Sequence, residues 1–82
     1  MSIETSTELE RELSDFGLVS ALVSLGFEIR RTDKKGSRMF FIFCQTKELE
    51  SAINQYLLGD LQVGARQYFE ATKRLKNLIY SE

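Results

Sequence analysis

Eighty-two residues, 43% of them apolar and 11% aromatic, suffice for one small packed domain without disulfides and argue against disorder. With no His and a single Cys, Cys44, the chain cannot assemble a Cys-His or Ser-His nucleophile pair, a zinc site of several Cys and His ligands, or a disulfide framework, so the expectation is no enzyme and no cofactor or metal. Net charge is −1 but unevenly placed: residues 1–29 carry −5 and residues 30–82 carry +4, so the two regions are expected to pair with each other, with a second copy or with separate partners.

At the N-terminus, Thr7 and Glu10 have the spacing of a capping box, and Leu9, Leu13, Phe16, Val19 and Val23 recur at helical intervals, which predicts a helix over about 8–25. Ser14-Asp15 offers a second start, in which case residues 1–13 are an acidic arm or helix extension and 14–82 a single α+β domain. Gly26 ends the helix in a left-handed cap, with Phe27 folding back on Leu22. Phe27, Ile29 and Arg31 then alternate with Glu28, Arg30 and Thr32 as in a half-buried strand, and Asp33 to Ser37 supplies the turn, with Gly36 at positive φ.

The second strand, Arg38 to Cys44, is apolar on both faces: Met39, Phe41 and Phe43 on one, Phe40, Ile42 and Cys44 on the other. Such a strand must be covered on both sides, by helices of its own chain or by another copy. Thr46 caps a helix to about Leu58 that turns Leu49, Ile53, Tyr56 and Leu57 inward and stops at Gly59. Leu61 to Val63 offers a short third strand at one edge of the sheet. From Ala65 to about Tyr80, the stripe Tyr68, Phe69, Thr72, Leu75, Leu78 and Ile79 defines a last amphipathic helix with a basic outer face. The order helix, β-hairpin, helix, short third strand, C-terminal helix is an α+β fold, a small antiparallel sheet covered by helices.

Five cations, Arg30, Arg31, Lys34, Lys35 and Arg38, fall within nine residues at the hairpin. A basic ribbon can follow a phosphate backbone or enter a groove, releasing counterions as it neutralises phosphates. The plain alternative is a solvated turn whose Lys and Arg guard a strand against edge pairing. Arg66, Lys73, Arg74 and Lys76 on the last helix extend the patch if they face the same way as the hairpin, or else they complement the helix macrodipole on a solvated face. A pI near 5.5 is low for a dedicated nucleic-acid binder.

Glu8, Glu12 and Asp15 would line one face of the predicted first helix, where carboxylates suit a hard cation, acid-base chemistry or mimicry of nucleic-acid phosphate; with no shaped loop beside them they read as a solvated face. Cys44, closing an apolar strand, reads as a small hydrophobe and not a reactive thiol. No GxGxxG or phosphate-loop spacing occurs among the five glycines. No segment has the apolar length to span a bilayer, no leader pattern opens the chain, and a lone thiol suits a reducing compartment, so a cytoplasmic location without a membrane partner is expected.

The spacing of Ser14-Asp15-Phe16, Gly26-Phe27, Phe41-Ile42-Phe43, Glu48-Leu49 and Val63-Gly64-Ala65-Arg66-Gln67-Tyr68-Phe69 through Lys73, Leu75-Lys76 and Ile79-Tyr80 resembles a family of small uncharacterised proteins. That family is a domain of unknown function found in bacteria, cyanobacteria among them, and in phages and other mobile elements. The resemblance runs from about Ser14 to Tyr80 and implies an architecture and a genomic setting but no activity and no site residue.

The expected function is a small non-catalytic binding protein that contacts nucleic acid, or a nucleic-acid-bound complex, through the basic hairpin tip and the outer face of the last helix. The alternative is a protein-protein interaction module, a homodimer or an inhibitor or adaptor of a larger protein, without nucleic-acid contact.

Overall fold

A computed structural model describes residues 9–81, in which six elements run β1 (Glu10–Leu13), α1 (Phe16–Ser24), β2 (Ile29–Lys35), β3 (Arg38–Cys44), α2 (Lys47–Leu58) and α3 (Ala65–Ser81). The strands form one antiparallel sheet in the order β1-β3-β2, so the strand without a polar face lies in the middle. Together with three helices this is an α+β fold.

Local chemistry sets most element ends. Asp15 caps α1 by accepting the Leu18 N–H at 3.1 Å, and Thr46 caps α2 by accepting the Leu49 N–H at 3.0 Å. Both helices stop at a glycine with positive φ, Gly26 at 103° and Gly59 at 81°. At the first, Phe27 N–H reaches Leu22 O at 3.1 Å and Gly26 N–H reaches Val23 O at 3.0 Å; at the second, Asp60 N–H reaches Gln55 O at 2.8 Å and Gly59 N–H reaches Tyr56 O at 3.0 Å. This paired bonding of the last carbonyls favours a residue without Cβ at the turn. Phe27 packs against the core, as the spacing predicts.

The N-terminal segment departs from expectation. Glu10 to Leu13 is not the start of a helix but an edge strand, in register Glu10 with Cys44, Arg11 with Phe43, Glu12 with Ile42 and Leu13 with Phe41. Leu9, Leu13 and Phe16 share helical spacing by coincidence, and the alternation Glu-Arg-Glu-Leu wins because β3 offers an unpaired edge. Regular helix begins only after the Asp15 cap. Thr7 and Glu8, which completed the predicted capping box and carboxylate row, lie outside the described residues; Glu12 stands on a strand and Asp15 caps α1, so those two do not share a helical face. The third strand of the sheet is β1, and Leu61 to Val63 is irregular backbone and not the short strand predicted there.

The hairpin also differs in detail. Strand β2 continues to Lys35 and the turn is only Gly36-Ser37, with Lys35 opposite Arg38. Between Ile29, opposite Phe43, and Arg31, opposite Ile42, the register shifts by one residue to accommodate Arg30. This bulge breaks the alternation read from the sequence: Ile29 and Thr32 share the helix side of the sheet, while Arg31, Asp33 and Lys35 share the opposite side.

On the helix side, Phe41 and Phe43 meet Leu18, Val19 and Leu22 of α1, Leu49 and Ile53 of α2 and Leu75 of α3 in one buried cluster. Burying each such side chain stabilises the fold by about 1.5–3 kcal/mol. Helix α1 packs chiefly against α3 and is enclosed from Leu18 to Leu22, Ser20 included. Two residues assigned to the inner stripe of α3, Phe69 and Leu78, are exposed, whereas Ala71 and Leu75 are buried. Leu57 of α2 likewise faces solvent. Among the described residues, no helix is long and apolar enough to cross a membrane.

Ser20 is fully buried and its Oγ has no hydrogen-bond partner among the described residues. Ser20→Ala removes an unsatisfied hydroxyl and adds helix propensity, so it is expected to raise stability by about 0.5–1.5 kcal/mol. Ile42→Ala, on the sheet face away from the helices, is expected to cost about 2–4 kcal/mol. Denaturant unfolding checks both, and a destabilised Ser20→Ala chain would show that its hydroxyl is hydrogen-bonded in solution.

Candidate nucleic-acid interface

The sheet register sorts the hairpin cations by face. On the side away from the helices, β3 presents Arg38, Phe40, Ile42 and Cys44, flanked by Glu10 and Glu12 of β1 and by Arg31, Asp33 and Lys35 of β2. Among the described residues, the helices pack on the other face of the sheet and not on this apolar row. Long charged side chains bridge over it from one edge strand to the other. Arg31 donates Nη1 to Glu10 Oε2 at 2.5 Å and Nη2 to Glu10 Oε1 at 2.9 Å, and Lys35 Nζ reaches both Glu12 oxygens at 3.2 and 3.3 Å. Lys35 Nζ also sits 5.0 Å from the centroid of the Phe40 ring. Beneath these bridges Ile42 is 0% exposed, while Phe40 and Cys44 are half-buried.

The opposite face of β1 makes the same kind of link toward the helices. Arg11 Nε lies 3.0 Å from Glu50 Oε2 of α2, at an angle that makes it an ion pair without a hydrogen bond, and Gln45 Nε2 donates to the same oxygen at 3.0 Å. Acidic β1 and basic β2 therefore pair within the molecule, which is the first of the three uses their charge asymmetry suggests.

That pairing divides the nine candidate cations. Arg31 and Lys35 are held by β1, and Lys73 pairs with Glu70 one turn away at 3.7 Å. Arg30 sits at the bulge, close enough to Glu10 for their charges to attract. Lys34, Arg38, Arg66, Arg74 and Lys76 are exposed and form no ion pair with a described residue.

The hairpin tip and the last turns of α3 adjoin one another. Ser37, Arg38 and Met39 of the hairpin and Ile79 of α3 line a shared hollow, and Lys76 stands one turn before Ile79. Arg74 reaches a second hollow shared with Arg31 and Thr32 of β2, and Arg66 a third shared with Arg74. The sequence left open whether these two sets face the same way.

Helix α3 adds a feature that its predicted inner stripe hid. Positions 69, 73, 76 and 80 fall on one outward stripe of the helix. Phe69 is 60% and Tyr80 83% exposed, with Lys73 and Lys76 between them, and Lys73 Nζ lies 5.1 Å from the Phe69 centroid. The two rings are separated by eleven residues, about 16 Å along the axis. Their 4-3-4 spacing was the available signal, masked because Phe69 also adjoins the buried stripe.

A smaller polar cluster lies at the start of α1. A Cβ at Gly17 would stand 2.6 Å from the Tyr56 hydroxyl and 3.6 Å from that of Tyr68, with the Asp15 carboxylate at 3.5 Å. Burial, then the Asp15 charge and Tyr68, push the Tyr56 hydroxyl above its ordinary pKa. It stays protonated at neutral pH and serves packing. Among the described residues, no group of three His, Cys, Asp or Glu side chains converges to hold a metal ion.

Hydrogen bonding from Arg31 holds the Glu10 carboxyl below the usual carboxylate range, and Glu10 raises Arg31 in return. A folded pKa below the unfolded one gives a contribution that is full above the ordinary carboxylate range and is lost as pH falls through the lowered value. Glu10→Gln is therefore expected to lower the denaturant midpoint at pH 7 and to lose that deficit as pH falls through and below the carboxylate range. A deficit that does not shrink as pH falls would mean that Glu10 acts by shape and not by charge.

No curated protein and no solved structure matches the chain at a significant level. One family does, over residues 9–81, a span that takes in β1 as well as the segment from Ser14 onward. The chain therefore belongs to the family described as a domain of unknown function, DUF5659.

Proposed function

We propose that this protein is a non-catalytic nucleic-acid-binding protein whose contact surface joins the hairpin tip, Lys34 and Arg38, to the outward stripe of α3, Phe69, Lys73, Lys76 and Tyr80, with Arg66 and Arg74 beside it. The observation that carries the reading is the stripe itself: two well-exposed aromatic rings separated by two lysines, on a helix whose end adjoins the unpaired cations of the hairpin. Cations supply affinity by displacing counterions from phosphates, and exposed rings give unstacked bases a surface to stack on. A second copy fits this stripe poorly, since it would set lysines against lysines. The lone thiol supports a cytoplasmic setting.

Compared with the sequence expectation, the weight moves from the whole hairpin to its tip and to α3, because Arg31 and Lys35 already have carboxylate partners. Fluorescence anisotropy with short single-stranded and duplex oligonucleotides across a salt series tests the proposal. Binding is expected to weaken linearly in log salt, and Lys73→Glu/Lys76→Glu to weaken it by at least tenfold at low salt. Phe69→Ala/Tyr80→Ala is expected to cost single-strand binding about 1–3 kcal/mol per stacked ring and duplex binding much less. No association at low salt, or no response to the Lys73/Lys76 change, rejects it.

A second reading, a protein interaction module, rests on Leu57 and Leu58 at the end of α2, 69% and 75% exposed. Light scattering that gives a strict monomer at high concentration rejects the homodimer form of this reading. A dimer that Leu57→Ser/Leu58→Ser dissociates supports it.

A further inference from the structure

Deepening the nucleic-acid reading and resting on it, we propose that the outer sheet face is a second nucleic-acid contact, held shut by β1 acting as an internal stand-in for a phosphate strand. Its cations are Arg31, Lys35 and Arg38, and its aromatic platform is the half-buried Phe40 in the central strand. The residues that occupy it now are Glu10 and Glu12.

Three observations support this. First, Glu10 and Glu12 are two apart on a strand, so both carboxylates point to the same side with a repeat of about 6.8 Å, as successive anionic groups of a backbone do. Second, each is bound the way a phosphate is bound, Glu10 by a two-pronged guanidinium and Glu12 by an ammonium. Third, the pairs are solvent-exposed on both sides, so an incoming polyanion can exchange with them one at a time without opening the core. The bulge at Arg30 is what turns Arg31 onto this face; unbroken alternation would leave Arg31 on the side of Ile29.

The exchange is non-covalent. An oligonucleotide phosphate replaces Glu10 on Arg31 or Glu12 on Lys35, the freed carboxylates turn to solvent, and Lys35 leaves the Phe40 ring open to a base. The acidic strand then sets a threshold: a polyanion with several adjacent charges displaces both carboxylates, and an isolated anion does not.

The test is Glu10→Gln/Glu12→Gln, which keeps side-chain shape while removing both negative charges. Binding of a single-stranded oligonucleotide is expected to tighten roughly tenfold at low salt, and the slope of log affinity against log salt to steepen by about 1.4, the value for two further phosphate contacts on a single strand. Glu48→Gln/Asp60→Asn removes the same charge from α2 and the loop after it, and is expected to leave the slope unchanged. Adding Arg31→Gln/Lys35→Gln to the Glu10/Glu12 variant is expected to abolish the gain. Circular dichroism checks that each variant is folded, and if the Gln pair unfolds the chain, Glu10→Gln alone gives the same test with about half the change in slope. An oligonucleotide slope unchanged in the folded Gln variant, or a gain matched by the Glu48/Asp60 control, overturns the proposal. Binding that is lost in Lys73→Glu/Lys76→Glu but indifferent to Glu10 and Glu12 overturns it and leaves the α3 contact standing. Absence of binding by both the parent chain and the Gln variant overturns both readings.

Discussion

Strand β3 has seven residues and no polar face, so the molecule must shield it from water above and below. Phe41 and Phe43 on one side organise the single core, drawing Leu18, Val19 and Leu22, Leu49 and Ile53, and Leu75 from all three helices. The other side carries Phe40, Ile42 and Cys44, and among the described residues the helices pack on the opposite face. Its cover is made of side chains instead: the aliphatic stems of Arg31 and Lys35 lie across the row, and their charged ends are held down by Glu10 and Glu12. A layer of this kind shields apolar surface while keeping every charge hydrated.

This arrangement explains why the charge of the chain is divided. The acids of β1 and the bases of β2 stand on opposite edges of the sheet and meet over its middle strand. Alternation within β1 sends Glu10 and Glu12 to one face, and Arg11 and Leu13 to the other, where Arg11 finds Glu50 on α2. A four-residue strand is thus tied to β3 by backbone hydrogen bonds and to both β2 and α2 by charge. Surface ion pairs contribute little singly, so the strand's place depends on their number and on Leu13 reaching the core.

The same ties decide which cations remain for a partner. Five positive groups in the hairpin suggest a strongly basic ribbon, yet Arg31 and Lys35 are committed within the molecule and Arg30 is attracted by Glu10. What stays available is the tip, which Ile79 brings beside the last turns of α3. Along α3 the exposed pair Phe69 and Tyr80, with lysines between, forms the surface that most departs from a merely solvated helix.

Sequence by itself determined the features that depend on a few neighbouring residues. Asp15 and Thr46 as caps, the Gly26-Phe27 and Gly59 helix ends, the hairpin around Gly36, the span of α2 and α3, and the double-faced apolar strand all follow from side-chain chemistry within one or two turns. The candidate cations were legible too, as residues. Tertiary structure decided what depends on pairing at a distance. Leu9, Leu13 and Phe16 satisfy a helical period as well as Arg11 and Leu13 satisfy a strand, and only the open edge of β3, some thirty residues on, selects the strand. The bulge that turns Arg31 outward, the carboxylates that neutralise it, and the burial of Ala71 while Phe69 stays exposed all belong to the same class. Periodicity states which residues share a face, but which face meets a neighbour is set by the shape and charge of elements far away in the chain.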